Sequence, residues 1–303
     1  GACMTLSERE AVANNNNVDF FQSIHHNAFN GASNYSLVLF EQLNNTVCPN
    51  GNPQWPNTAD SMSFIMAAEL YAGLYTTTGY GRGDYCFLGY NLGVLNDLAM
   101  PGVLSEGSFF DNLPEATRLA NLAYLRTEAE ALYLSYLKFF KKPLPTHGSL
   151  VGIVTNLATG SPVRGVRVVL PSVNKSYTVD SLGNGFYRID SLAPGTYPVS
   201  VISSIDTVNT SVTVEAGKIN KKNLLSGSAD APPQLKLLSV TGSEGALNLR
   251  WEQPAGLLDS VMIYLSENGS VPTGEPFKII PASTTTHTLS GLTPNQSFYV
   301  GIK

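Results

Sequence analysis

The sequence predicts a multidomain chain in which an α/β domain, with a mixed or mainly parallel sheet and flanking helices, precedes two all-β sandwich modules. Helical and extended patterns alternate as far as residue 146, which is typical of an α/β fold. From His147 the pattern changes to short alternating runs separated by Gly, Asn, Ser and Pro, which is typical of sandwiches. We therefore expect domains at residues 1–146, 147–228 and 229–303.

Length and composition agree with this division and argue against a nucleic-acid partner and against a transmembrane segment. The chain has 303 residues, more than the roughly 250 at which single cores stop growing. Its net charge is −5 and only 14% of residues are charged, so we expect no nucleic-acid partner. No apolar run approaches the roughly 18 residues of a transmembrane segment, and no signal segment opens the chain. Any secretion signal is expected outside this sequence.

The chain has three cysteines, Cys3, Cys48 and Cys86. Their spacing contains no CxxC pair and nothing typical of a metal cluster. One disulfide can form, and the sequence leaves the pairing of Cys48 with Cys86 open. The unpaired third cysteine argues against a scaffold that depends on disulfides.

The first elements of the α/β domain are a helix and a strand that ends in histidines. Residues 6–14 have a helical pattern, and residues 18–28 have a strand pattern that ends on His25 and His26. Adjacent strand residues point to opposite faces, so only one of the two can face a given site. The alternative is that each is an ordinary core or surface histidine.

The rest of the domain continues the alternation. Residues 61–75 place apolar side chains at helical spacing and predict a core-facing helix. We expect a turn at residues 79–84, and the alternation continues at residues 85–89. Residues 119–140 predict one long amphipathic helix, which the basic residues and proline that follow are suited to end.

The strongest functional signal is the short apolar strand that precedes Glu106. The strand is expected to end on Glu106 and to be followed by a Gly turn. A helix should come next, with Asp111 or Asn112 as its cap and Pro114 near its first turn. Ligands of open α/β sheets bind beyond the carboxyl ends of the strands, where Glu106 would project. The alternative is a solvated turn residue, which is the usual environment of Glu.

Two ordered motifs carry a family resemblance. Residues 6–28 contain Ser-Glu-Arg, then Ala-Asn, then Ser-Ile-His-His-Asn-Ala, which is similar to the zinc-binding strand of the zinc-dependent N-acetylmuramoyl-L-alanine amidases. Residues 101–112 closely follow the family pattern Pro-x-Val-Leu-x-Glu-x-Gly/Ser-Phe-x-Asn. The similarity covers most of residues 5–140.

The resemblance implies a function and a site. Glu106 would be the catalytic acid/base and His25 a ligand of one Zn²⁺, whose bound water attacks the amide between N-acetylmuramic acid and L-alanine of peptidoglycan or a muropeptide. The family supplies a further histidine and glutamate ligand upstream of the Ser-Glu-Arg helix, and neither His147 nor His287 matches them by motif. The remaining ligands are therefore expected upstream of this chain, which we expect to be an N-terminally truncated piece, inactive alone.

The two C-terminal modules also resemble known domains. Residues 148–226 are similar to the carboxypeptidase regulatory-like β-sandwich, including a Leu-x-Pro-Gly-x-Tyr element. Such modules are usually spacers or adhesion units, and ligand binding is the alternative. After a linker at residues 226–233, the chain resembles a fibronectin type III domain with a core Trp251, and it is expected to be incomplete at its C-terminus.

Two functions from different classes follow. The first is a secreted, periplasmic or cell-surface peptidoglycan amidase whose sandwiches space or anchor it. The second is a non-catalytic cell-surface or adhesion protein that keeps an amidase-like scaffold and binds cell-surface carbohydrate or protein through its sandwiches. Upstream zinc ligands and loss of lysis in a Glu106→Ala variant of the longer protein would favour the first.

Overall fold

The computed structural model describes residues 4–43, 47–48, 51–203, 206–227, 235–252, 260–267, 275–281 and 283–302. The chain forms two compact units. One contains residues 1–155 and 162–226, and the other contains residues 156–161 and 227–303.

Among the described residues, the α/β part of the first unit has nine elements. In chain order they are α1 (Leu6–Asn15), β1 (Phe21–Asn27), β2 (Ser36–Phe40), α2 (Ala59–Gly73), β3 (Gly79–Gly83), α3 (Asp84–Leu88), β4 (Gly102–Phe109), α4 (Leu113–Leu119) and α5 (Leu122–Phe139). The strands form one sheet in the order β1-β4-β2-β3. β1 is parallel to β4 and β2 to β3, whereas β4 and β2 are antiparallel. The predicted α/β fold is therefore confirmed, and of the two kinds of sheet that were expected, mixed or mainly parallel, the sheet is mixed.

The two faces of this sheet are covered differently. One face packs on α2 and α5 through a large apolar core that includes Val38, Phe40 and Val103. The opposite face is covered at one end by α1 and the segment before β4, which form a smaller cluster around Leu104. The rest of that face carries the candidate site.

Two local expectations were wrong, and one strand was missed. The predicted turn at residues 79–84 is β3 followed by α3, and its glycines have a packing role: a Cβ at Gly79 would overlap the carbonyl oxygen of Ala67 in α2. β4 does not end at Glu106 but continues to Phe109. The long helix predicted over residues 119–140 is α5, which begins at Leu122 because the Asn121 side chain accepts hydrogen bonds from two backbone amides and caps it. β2, a central strand, was not predicted.

Cys48 and Cys86 form a disulfide, with Cα atoms 5.5 Å apart. Cys86 lies in α3, so the bond ties the segment after β2 to the segment after β3. This settles the pairing that the sequence left open.

The described residues of the sandwich part of the first unit form eight strands and a 3-10 helix (Pro171–Val173). The strands are β5 (Gly148–Asn156), β6 (Arg167–Leu170), β7 (Lys175–Thr178), β8 (Phe186–Leu192), β9 (Gly195–Ile202), β10 (Thr207–Val214), β11 (Ile219–Lys221) and β12 (Leu224–Ser226). One sheet has the order β10-β9-β6-β7, and the other has β11-β5-β12 with β8 also paired to β5. Their facing side chains form a separate apolar cluster.

In the second unit, the part of the chain that the structure describes forms two three-stranded antiparallel sheets, β13-β14-β17 and β16-β15-β18. The strands are β13 (Lys236–Ser243), β14 (Ala246–Glu252), β15 (Ser260–Ser266), β16 (Lys278–Pro281), β17 (Thr286–Ser290) and β18 (Tyr299–Ile302). Trp251 is buried in its core, as expected. The fibronectin type III assignment and the domain boundaries stay predictions, and residues 228–233 of the predicted linker lie outside the described residues.

Within the described residues, no helix combines the length and the apolar character needed to cross a bilayer.

Candidate active site

Glu106 lies in the middle of the sheet, between two neighbouring strands that register with it. Its partner on β1 is His25 and its partner on β2 is Leu37. Neighbouring strands are about 4.8 Å apart, and residues in register point to the same face. The two motif residues that the sequence identified are therefore brought side by side.

An open cleft of about 680 Å³ lies on the Glu106 face of the sheet. Leu37, Leu39 and Leu104 form part of its apolar wall. Two aromatic side chains at the same cleft are largely exposed, with Phe29 at 78% and Tyr90 at 58% of their full accessibility. The remaining lining residues are Asn27, Ala28, Tyr35, Phe87, Leu88 and Leu92. An apolar concavity with one convergent carboxylate is the usual form of a ligand site.

The environment of Glu106 disfavours its charged form. Burial raises the pKa of Glu106 to about 7, and the nearby His26 opposes this shift. One carboxylate oxygen, Oε2, is buried without a hydrogen-bond partner in the part of the chain that the structure describes. A carboxylate with a pKa near neutrality can both accept and return a proton under physiological conditions. Glu106 is thus suited to acid/base work.

His25 is exposed on β1, and its Nε2 lies 2.9 Å from the Ser23 hydroxyl oxygen. A catalytic zinc takes three protein ligands and leaves one position for water. Among the described residues, no group of three or more His, Cys, Asp or Glu side chains is arranged to hold a metal ion. These residues therefore do not form a zinc site by themselves, and the role of His25 as a ligand stays a prediction.

His26 points to the opposite face, as the alternation of strand residues predicts. Its Nε2 lies 2.8 Å from Oε2 of Glu128 in α5. This hydrogen bond is the main cause of a raised His26 pKa, which desolvation partly opposes. Sequence reasoning did not find Glu128, because it lies 102 residues away and follows no motif.

The segment after β4 is fastened to the loop that carries Phe29. The Asp111 carboxylate accepts hydrogen bonds from the backbone amides of Phe29 and Gly31, each at 2.9 Å. These bonds lower the pKa of Asp111. Asn112, one of the two predicted caps, is the residue that caps α4. Asp111 instead positions one wall of the cleft, a role that sequence reasoning missed.

Glu115 fixes the end of β4 from within α4. Its Oε2 accepts a hydrogen bond from the Phe109 amide at 2.5 Å, and the side chain is fully buried. Burial raises its pKa, although the Phe109 amide and Arg118 oppose the shift. The helix after the Glu106 motif therefore supports the strand that carries Glu106.

Part of this chain is similar to known proteins. An uncharacterized cell wall amidase of Bacillus anthracis is 29% identical over 137 residues, which are 45% of this chain and 24% of that protein. The chain thus spans about a quarter of that curated relative. The catalytic domain of CwlV, an N-acetylmuramoyl-L-alanine amidase from Bacillus (Paenibacillus) polymyxa, is 20% identical with a TM-score of 0.37, over 47% of this chain and 69% of that one.

The CwlD amidase from Clostridioides difficile, solved in complex with the GerS lipoprotein, is 23% identical with a TM-score of 0.36, over 45% of this chain and 61% of that one. The N-acetylmuramoyl-L-alanine amidase family model matches residues 2–136, and the carboxypeptidase regulatory-like domain model matches residues 149–224. On these two family matches, residues 2–136 are an N-acetylmuramoyl-L-alanine amidase domain and residues 149–224 are a carboxypeptidase regulatory-like domain.

Proposed function

We propose that the protein hydrolyses peptidoglycan at the amide between N-acetylmuramic acid and L-alanine. The observation that carries this proposal is Glu106, a partly buried carboxylate with a pKa of about 7 at an open cleft. The amidase domain match over residues 2–136 supports the substrate class. The similarity to a protein named as a cell wall amidase points the same way.

Glu106 would move the proton in both halves of the reaction. Its carboxylate takes a proton from water as the water oxygen bonds to the lactyl carbonyl carbon. The resulting carboxylic acid then gives that proton to the amine of L-alanine as the carbon–nitrogen bond breaks. The family resemblance implies one Zn²⁺ with His25 as a ligand, but the described residues do not complete such a site. Both proton transfers are therefore assigned to Glu106 alone.

The proposed location is extracellular or in the cell wall, where the substrate lies. The disulfide between Cys48 and Cys86 supports this, because disulfides persist in oxidising compartments. Contacts of the β-sandwiches with cell-surface carbohydrate or protein belong to the same proposal.

The test is release of peptides with a new L-alanine amino terminus from purified peptidoglycan, measured by mass spectrometry with and without added Zn²⁺. We expect release by the wild-type protein and a loss of at least about a hundredfold in Glu106→Gln, since a removed general acid/base costs that order of rate. Glu41→Gln is the matched control. Burial also raises the pKa of Glu41 to about 7, but Glu41 does not line the cleft.

The second candidate is a non-catalytic scaffold that binds the cell wall. The absence of a three-residue metal group among the described side chains favours it. Under this alternative the protein binds peptidoglycan but releases no peptide, and Glu106→Gln binds as well as the wild type. Release by the wild type together with retained release by Glu106→Gln would contradict the role of Glu106 in the first candidate.

A further inference from the structure

The residues next to His25 and Glu106 face the back of the sheet. His26 follows His25 in β1, and Gly107 follows Glu106 in β4. Because successive strand residues point to opposite faces, His26 and Gly107 both face α5 while their neighbours face the cleft side. One side chain of α5, Glu128, lies against both.

The Glu128 carboxylate is packed between α5 and the two strands. Its Oε2 lies 2.8 Å from His26 Nε2, and a Cβ added at Gly107 would overlap its Oε1. Glu128 is only 5% exposed, and Oε1 has no hydrogen-bond partner among the described residues. The absence of a side chain at Gly107 therefore makes the space that the carboxylate fills. A hydrogen bond to a buried carboxylate is stronger than one between neutral groups.

The pairing of β1 with β4 is irregular at this point. His25 pairs with Glu106, but Asn27 pairs with Phe109, so β1 advances by two residues while β4 advances by three. Such a bulge interrupts the ladder of backbone hydrogen bonds. The backbone hydrogen bonds between β1 and β4 therefore fix the relative position of His25 and Glu106 less firmly than they would between two regularly paired strands.

We propose that Glu128 is a positioning residue that holds His25 and Glu106 in place from behind the sheet, through His26 on one strand and Gly107 on the other. The inference rests on the proposed function, because that function gives His25 and Glu106 their roles. Glu128 itself does not reach the cleft. It acts through the two strands.

Amide hydrogen exchange tests this in the full chain. We expect Glu128→Leu to speed exchange in residues 25–27 and 106–109 by about tenfold to a hundredfold, the range set by losing a hydrogen bond to a charged group, while the sandwich strands change little. Glu128→Gln keeps an acceptor for the histidine and should restore most of the protection. His26→Leu removes the same bond from a less buried position and should give the same local pattern.

Glu130→Leu is the matched control on the same helix. Glu130 accepts from Arg188 at 2.6 Å and from the Ser149 hydroxyl at 2.7 Å, both in the sandwich. Its loss should leave exchange in β1 and β4 unchanged. Uniform loss of protection across the first unit in Glu128→Leu, or no rescue by Glu128→Gln, would overturn the inference.

Turnover gives a second readout when the wild type releases peptide. If Glu128 is a positioning residue, Glu128→Leu should lower kcat at least about tenfold while KM stays within about twofold of the wild-type value. Glu128→Gln should recover most of the lost kcat. An equal fall in kcat in Glu130→Leu would overturn the positioning role of Glu128. If the wild type releases no peptide, the proposed function fails, while the exchange pattern still decides whether Glu128 holds the two strands.

Discussion

Glu106 is a carboxylate whose surroundings oppose its charge. Burial raises its pKa from 4.5 to about 7, so the folded protein keeps the proton over a range in which the unfolded chain loses it. Glu106 therefore leaves the free energy of unfolding unchanged below about pH 4.5 and lowers it progressively as the pH rises to about 7. Above that pH the carboxylate is charged in both the folded and the unfolded state, and the free-energy cost of burying the charge no longer changes with pH. The same environment suits proton transfer and lowers stability.

Glu106→Gln should therefore stabilise the fold above neutrality. Each unit of pKa shift corresponds to about 1.4 kcal/mol, so we expect a gain of about 1 to 3 kcal/mol at pH 8 and none near pH 4. Urea unfolding of variant and wild type at both pH values measures this. A difference that does not change with pH would show that burial does not perturb Glu106.

At Gly107, the space that a side chain would need is already occupied by the Glu128 carboxylate. Substitution of Gly107 by Ala would place a Cβ on the Glu128 carboxylate, so we expect destabilisation of roughly 1 to 3 kcal/mol from overpacking. Gly242→Ala is the control, since a Cβ there meets only Leu247 at 3.8 Å. Urea unfolding measures both. An equal, small effect in the two variants would contradict the close packing at Gly107.

At the scale of elements, strand patterns and local motifs predicted the two strands that carry the candidate site residues. They located a strand at His25 and another at Glu106, and the alternation rule separated His25 from His26. They did not show that the two strands are neighbours, because register depends on contacts between distant residues. Gly79 in β3 misled the prediction, since glycine signals a turn in sequence but here allows α2 to lie close. Glu128 has no local signal at all.

The disulfide is an element-scale constraint on the edge of the sheet. It joins residues 38 apart, and closing a loop of that size in the unfolded chain is worth about 4 kcal/mol in the chain-entropy description. We expect the double variant Cys48→Ser, Cys86→Ser to lose about 2 to 4 kcal/mol of unfolding free energy. The wild type in reductant should show the same loss. Unchanged stability in both cases would mean that the bond adds no constraint.

At the scale of the first unit, the amidase domain and the sandwich share one apolar core. Val151, Phe186 and Ile219 of the sandwich belong to the same cluster as the buried faces of α2 and α5. The Phe186 ring meets the Tyr124 ring edge to face with centroids 5.1 Å apart. A β-sandwich that packs on the amidase domain in this way is not free to move relative to that domain, as a flexible spacer would be.

Polar contacts reinforce this shared core. The Lys221 ammonium donates to the Tyr71 carbonyl at 3.0 Å and lies 4.7 Å from the centre of the Tyr75 ring. Lys221 thereby satisfies carbonyl groups at the end of α2, and burial lowers its pKa to about 8. Arg188 bridges to Glu130 of α5. The sandwich thus completes the helix layer behind the sheet that carries Glu106.

Phe186→Ala should consequently weaken both domains together. Removing a fully buried Phe costs about 3 to 5 kcal/mol, and we expect the first unit to unfold in a single, earlier transition. Hydrogen exchange should then rise in α2, α5 and the sandwich strands alike. Leu182→Ala, at an exposed site of the sandwich, should change neither measure. If exchange rose only in the sandwich while α2 and α5 stayed protected, the two domains would be energetically separate despite their shared core.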